Sequence, residues 1–203
     1  MTKVFFERLL MIFATSLLVL GSASGQSQKQ PRPKHPPTDS DMQREMQSAI
    51  PGPAHKRLAA LAGDYSTSTK FYIQPSDKPA ESIGSATIKS VLDGMFLLEE
   101  NSGTFMGQPM SGMRLLGYNN ASKRYEAIWT YTMSTAILNM TGTSNDDGKT
   151  INFTASWDEG GTRQALQVTT KQIDDDQFSV EMSSKAADGK PGPRFVTTYT
   201  RKN

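Results

Sequence analysis

The chain has 203 residues and no cysteine. That excludes disulfides, a thiolate metal site, a cysteine nucleophile and a lipid-bearing cysteine near the N-terminus. Histidine is almost as scarce, with only His35 and His55. Triad chemistry needs a base beside its nucleophile, and nothing after residue 55 supplies a histidine for it. The H-E-x-x-H, Walker and dinucleotide-glycine motifs are missing too. Neither sign of charge dominates, with 22 Lys and Arg against 20 Asp and Glu. No basic cluster with interleaved aromatics stands out, which argues against nucleic acid as a partner. Long apolar runs are also lacking. The one candidate, Leu9 to Leu20, is too short to span ~30 Å of hydrocarbon.

That run has another use. Lys3 and Arg8 precede it, and "GSASGQ" follows, with Ala23 and Gly25 in the small-residue cleavage positions. This is the pattern of a secretory signal peptide over residues 1–25. The expectation is an exported chain, periplasmic or secreted, with no integral membrane insertion after cleavage. Cleavage removes Lys3, Arg8 and Glu7 and leaves a formal net charge of about +1.

Residues 26–39, "QSQKQPRPKHPPTD", are proline-rich and polar. They cannot bury enough surface to order themselves and read as a linker. The rest, residues 40–203, reads as one domain: a short helical lid and a β-barrel. Ser40 with Gln43 has capping-box spacing. Met42, Met46 and Ile50 recur every four residues, the spacing of one helix face, and the stripe reads as packing. Pro51 and Pro53 end that helix. "AHKRLAALAG" gives a second helical turn, closed by Gly63.

From residue 64 the period changes to two. Ten strands are expected, over 64–74, 80–91, 95–104, 110–118, 123–133, 136–144, 149–158, 163–173, 177–184 and 194–202. Turn chemistry separates them, as in "PSDKP", "NNAS", "NDDG" and "ADGKPGP". No helix interrupts the series, so βαβ units are excluded, and the hairpin succession predicts an all-β, up-and-down antiparallel barrel. In "YEAIWTYTM", Tyr125, Ala127, Trp129, Tyr131 and Met133 share one face, as do Ile151, Phe153, Ala155 and Trp157 in "INFTASW". These faces are expected to point inward.

Closure of a meander pairs its first strand with its last. Phe195, Thr197, Tyr199 and Arg201 alternate onto one face of the last strand. That brings Arg201 near the barrel end where Tyr65 enters. A Gly-x-aromatic at the first strand, here Gly63 and Tyr65, with an Arg near the last, Arg201, resembles the structural signature of the calycins, the lipocalin-like superfamily. Tyr65 stands where those proteins normally carry Trp. The set His55, Leu58, Leu61, Gly63 and Tyr65 is similar to the opening of a bacterial family known as domain of unknown function 1579. "LDGMFLLEE", "GYNNASKRYEAIW" and "MST" at 133–135 resemble its later segments. The resemblance spans about residues 50–202 and implies a calycin-type fold with a cavity, and no activity. Some ten-stranded calycins hold haem through a strand histidine. None exists here, so no cofactor is expected.

A ten-stranded barrel is wide enough to leave interior space for a small apolar or amphipathic ligand. Its expected lining is Phe71, Leu98, Trp129, Tyr131, Met133, Leu138, Phe153 and Trp157. A hairpin centred on Gly107 sets Glu100 opposite Arg114. On the outer face this is an ordinary ion pair, the reading preferred here; on the inner face Arg114 would orient a ligand's polar end. His55 reads as a capping residue at the lid, not a metal ligand, since no second ligand has a suitable spacing. The alternative to a ligand-binding protein is an envelope-accessory or interaction scaffold with a filled barrel.

Overall fold

Alternation of period two begins at Gly63 and organises everything after it. The computed structural model describes residues 38–73, 78–159, 162–185 and 191–202, with backbone alone at 157–159, 162, 163 and 185. The expected signal peptide and residues 26–37 of the expected linker lie outside the described residues.

Helix α1 spans Asp39–Ser48. It starts earlier than Ser40 and Gln43 suggest. Thr38 is the N-cap: its hydroxyl accepts from the Asp41 N–H at 3.2 Å, and its own N–H donates to Asp41 Oδ2 at 3.0 Å. Aspartate thus closes the capping box that glutamate or glutamine usually closes. None of the helix residues is buried, and Met42, Met46 and Ile50 are exposed.

The unit from Pro51 onward contains a second helix and the barrel. Helix α2 spans Pro53–Ala59. Proline suits its first position because that N–H has no intrahelical partner anyway. The Gly52 N–H donates to His55 Nδ1 at 3.0 Å. His55 therefore caps, and its buried ring packs edge-on against Tyr118. The helix ends at Ala59, not at Gly63, which opens the first strand.

The strands are β1 (Gly63–Tyr72), β2 (Ala80–Val91), β3 (Phe96–Phe105), β4 (Gln108–Asn119), β5 (Arg124–Tyr131), β6 (Leu138–Thr143), β7 (Thr150–Glu159), β8 (Thr162–Gln172), β9 (Gln177–Lys185) and β10 (Pro191–Arg201). Each pairs antiparallel with its chain neighbours, and β1 pairs with β10 to close the barrel. The closing register sets Tyr65 opposite Arg201 and Phe71 opposite Phe195. All ten strands fall where alternation and turn residues put them, because every break but the one between β5 and β6 carries a chemically distinct turn sequence.

The core fills the half of the barrel next to α2. Leu58, Tyr65, Ile88, Leu97, Leu116, Tyr125, Met140, Ile151, Phe153, Val168, Phe178 and Tyr199 are buried there. Each such aliphatic or aromatic side chain contributes roughly 1.5–3 kcal/mol by leaving water.

One hairpin departs from expectation. The β3–β4 connection is the two-residue turn Met106–Gly107, with φ of 50° and 80°, the left-handed pair of a type I′ turn. Its centre lies between these residues, half a position from Gly107. The register therefore pairs Glu99 with Arg114, and Glu100 with Met113. Since side chains alternate, a one-residue slip exchanges the faces. Glu100 points outward to Lys89 at 2.9 Å, and the pair with Arg114 belongs to Glu99 and lies inside. Leu98 likewise faces outward, half-buried, and Leu97 takes the inner place.

Candidate functional site

The end of the barrel beside α2 is sealed by a contact set around Tyr65 and Arg201. The Tyr65 ring is 1 % exposed. Its hydroxyl donates to the Leu61 carbonyl at 2.9 Å. Its edge meets Phe178 at 5.3 Å between ring centres. The Arg201 guanidinium lies over the Tyr65 ring at 5.0 Å. Two of its nitrogens donate to the carbonyls of Ala62, at 2.7 Å, and Ala60, at 3.0 Å. These carbonyls lie just past α2, where the helix has no internal donors left. One arginine thus satisfies the helix end and holds the lid on the barrel. Gly63 is required at this point: its φ is +153°, and a Cβ would stand 2.2 Å from Arg201 Nη1.

Midway along the barrel lies a buried polar group. Arg114 Nη2 contacts Glu99 Oε2 at 2.5 Å, with side chains 11 % and 4 % exposed. The Tyr199 hydroxyl donates to Glu99 Oε1 at 2.8 Å, and the Asn101 amide donates to the same oxygen at 3.3 Å. Burial, and then the neighbouring Glu99 charge, push the Tyr199 hydroxyl well above the ordinary tyrosine value, so it stays a donor. Burial works against the Arg114 charge, but Glu99 more than offsets this and leaves the guanidinium more firmly protonated than usual. Between this group and the lid is a void of about 10 Å³, bordered by Leu61, Ile88, Leu97, Leu116 and Phe178. That is room for about one water, so no organic ligand fits in the lid half.

The other half is filled less completely. On its inner faces Thr67, Asn101, Trp129, Tyr131, Leu138 and Met182 are only half-buried. The Trp129 and Tyr131 rings stack at 4.5 Å and 13°. Phe71 stacks on Phe195 at 4.5 Å and meets Phe105 edge-on at 5.2 Å.

Of the residues expected to line a ligand space, Phe71, Trp129, Tyr131 and Leu138 thus fall in this half, with Arg114 at its base. Phe153 is packed in the lid half at 2 % exposure. Met133 lies past the end of β5 and is exposed. Leu98 is on the outer face. The side chain of Trp157 lies outside the described residues. Sequence alternation alone does not mark Glu99 or Asn101 for the interior. The signal for Glu99 was the two-residue turn, disguised because Met106 takes a left-handed φ that such residues rarely adopt. Among the described residues, no group of three or more His, Asp or Glu could hold a metal ion, and no helix is long and apolar enough to cross a membrane.

Comparison with one solved structure supports the architecture. The S-type phycobiliprotein lyase CPES from Guillardia theta superposes with a TM-score of 0.54 at 12 % identity, over 78 % of this chain and 97 % of that one. A redesigned β-barrel gives a TM-score of 0.39 at 14 % identity, over 72 % of this chain and 95 % of the design. At such identities the likeness concerns the fold alone. No curated protein matches in sequence. Residues 50–201, the lid helix and the whole closed sheet, match a family described as "Protein of unknown function (DUF1579)", and the chain belongs to that family.

Proposed function

We propose that the protein is exported and binds a small apolar or amphipathic ligand in the half of the barrel remote from α2. The observation that carries this reading is the contrast between the two halves. Inward side chains are buried near the lid, whereas in the remote half Trp129 and Tyr131 are only half-buried beside the buried Phe71. Aromatic walls with a few convergent polar groups are what small-molecule sites are made of. Export rests on the charged, apolar and small-residue succession of residues 1–25.

Thermal melting against a panel of single-chain lipids tests it. A ligand at 100 times its Kd adds about 2.7 kcal/mol, which raises Tm by roughly 5–10 °C in a domain of this size. If no member of the panel shifts Tm, the ligand reading is lost.

A second reading is an interaction scaffold, favoured by the exposure of Met42, Met46 and Ile50. Methionine suits adaptable binding surfaces. A partner that still binds after deletion of residues 26–53 excludes that helix as the docking element.

A further inference from the structure

The wall of the barrel is not knit equally all round. β7 pairs with β8 at every residue from Thr150 to Glu159. Its register with β6 covers only Asn152, Phe153 and Thr154, opposite Thr143, Gly142 and Thr141. Continued away from the lid, that register would set Met140 against Ala155 and Asn139 against Ser156. The β6–β7 ladder stops short of them, although β7 runs on to Glu159. β6 itself begins only at Leu138, across from Trp129. Towards the remote end, the chain between β5 and β6 is the irregular segment 132–137.

This segment is held from one side. The Thr132 N–H donates to the Ser111 carbonyl at 2.9 Å, and Thr132 Oγ1 accepts from the Ser111 N–H at 3.2 Å. The Ser134 N–H donates to the Tyr131 carbonyl at 3.2 Å, and the Ala136 N–H donates to Ser134 Oγ at 3.1 Å. These bonds run to β4, to β5 or within the segment. Among the described residues none ties it to β7. Its Met133 and Ile137 side chains are exposed. The inward residues beside it on β5 and β6, namely Trp129, Tyr131 and Leu138, are half-buried. Between β10 and β3 the remote half is packed differently. There Phe71 is buried, stacks on Phe195 at 4.5 Å and meets Phe105 at 5.2 Å.

Local opening is easiest where few backbone hydrogen bonds and few buried apolar contacts have to break. The short β6–β7 ladder meets the first condition, and the exposed Met133 and Ile137 meet the second. The phenylalanine cluster does not. We infer that the barrel opens at this seam: residues 132–137 and the start of β6 swing away from β7 as a flap, and an apolar or amphipathic ligand enters sideways, past Met133 and Ile137 to Trp129 and Tyr131. This rests on the ligand-binding reading above and adds the route by which that site is reached.

The absence of cysteine makes a selective tether possible. Asn139→Cys with Ser156→Cys, bridged by bis(maleimido)ethane, pins the root of the flap to β7. Both positions are exposed. Stopped-flow mixing with cis-parinaric acid, a fluorescent single-chain lipid, reads the rate of entry. Association is expected to be at least tenfold slower in the bridged protein than in the same variant before bridging. A matching bridge between Thr154→Cys and Gln167→Cys, which face each other across the β7–β8 seam, is expected to leave the rate within about twofold. Association unchanged by the first bridge overturns the entry route and leaves ligand binding standing. If neither cis-parinaric acid nor any lipid of the panel binds, the ligand reading falls and the route falls with it. Amide exchange of the unmodified protein tests the flap without ligand or bridge. Residues 132–140 are expected to exchange at least a hundredfold faster than residues 164–172 of β8. Equal protection of the two segments overturns the flap.

Discussion

Arg201 faces Tyr65 across the β1–β10 seam, with its guanidinium 5.0 Å from the centre of the phenol ring. The same side chain donates to Ala60 and Ala62. The last strand, the first strand and the lid helix therefore meet in one residue. Arg201→Leu removes two charged hydrogen bonds and a cation–π contact. The expected loss is about 2–4 kcal/mol of unfolding free energy in urea titration. Arg201→Lys keeps the charge but not the planar fork, and is expected to recover less than half of it.

Gly63→Ala attacks the same contact from the other side. It places a Cβ where Arg201 Nη1 now sits, at a φ of +153° that side chains rarely adopt. A destabilisation of about 2 kcal/mol or more is expected, read as a lower urea midpoint. A loss below about 0.5 kcal/mol shows that the seam is looser than described.

The inner pair Glu99 and Arg114 gives a sharper test. Glu99→Leu strands a buried guanidinium and is expected to cost about 3–5 kcal/mol. The double variant Glu99→Leu with Arg114→Met replaces the pair by apolar groups of similar size and is expected to recover most of that loss. A double variant as unstable as the single one means that the damage lies in packing, not in an uncompensated charge.

Alkaline pH should weaken the fold. Burial raises the hydroxyls of Tyr65, Tyr125 and Tyr199 above the ordinary value near 10. The folded chain holds these protons more tightly than the unfolded chain, so stability is full below pH 10 and falls as pH rises beyond it. Each fully effective tyrosine adds a slope of up to about 1.4 kcal/mol per pH unit. Urea titrations between pH 9 and 11.5 measure it, and Tyr199→Phe is expected to flatten the slope. An unchanged slope removes Tyr199 from this account.

Strand positions were legible because turn chemistry interrupts a period-two pattern at every hairpin except β5–β6. The closing pair Tyr65 and Arg201 followed from the same logic, since a meander that closes must join its ends. The candidate site was harder to read. Phe153 and Trp129 both alternate inward, yet one is packed near the lid and the other only half-buried in the remote half. Alternation tells in from out and says nothing about depth. Thr38 is hard to read as a cap from sequence because Asp41, not glutamate or glutamine, closes its capping box.

Local chemistry along the chain was enough to set element type, order and antiparallel sense, because each depends on neighbours a few residues apart. Face and filling were left to contacts between strands. Half a residue in the position of the Met106–Gly107 turn moved Glu99 inside and Glu100 out. Whether the space inside the sheet is full depends on how side chains from ten strands meet, a sum over distant residues that no single segment carries.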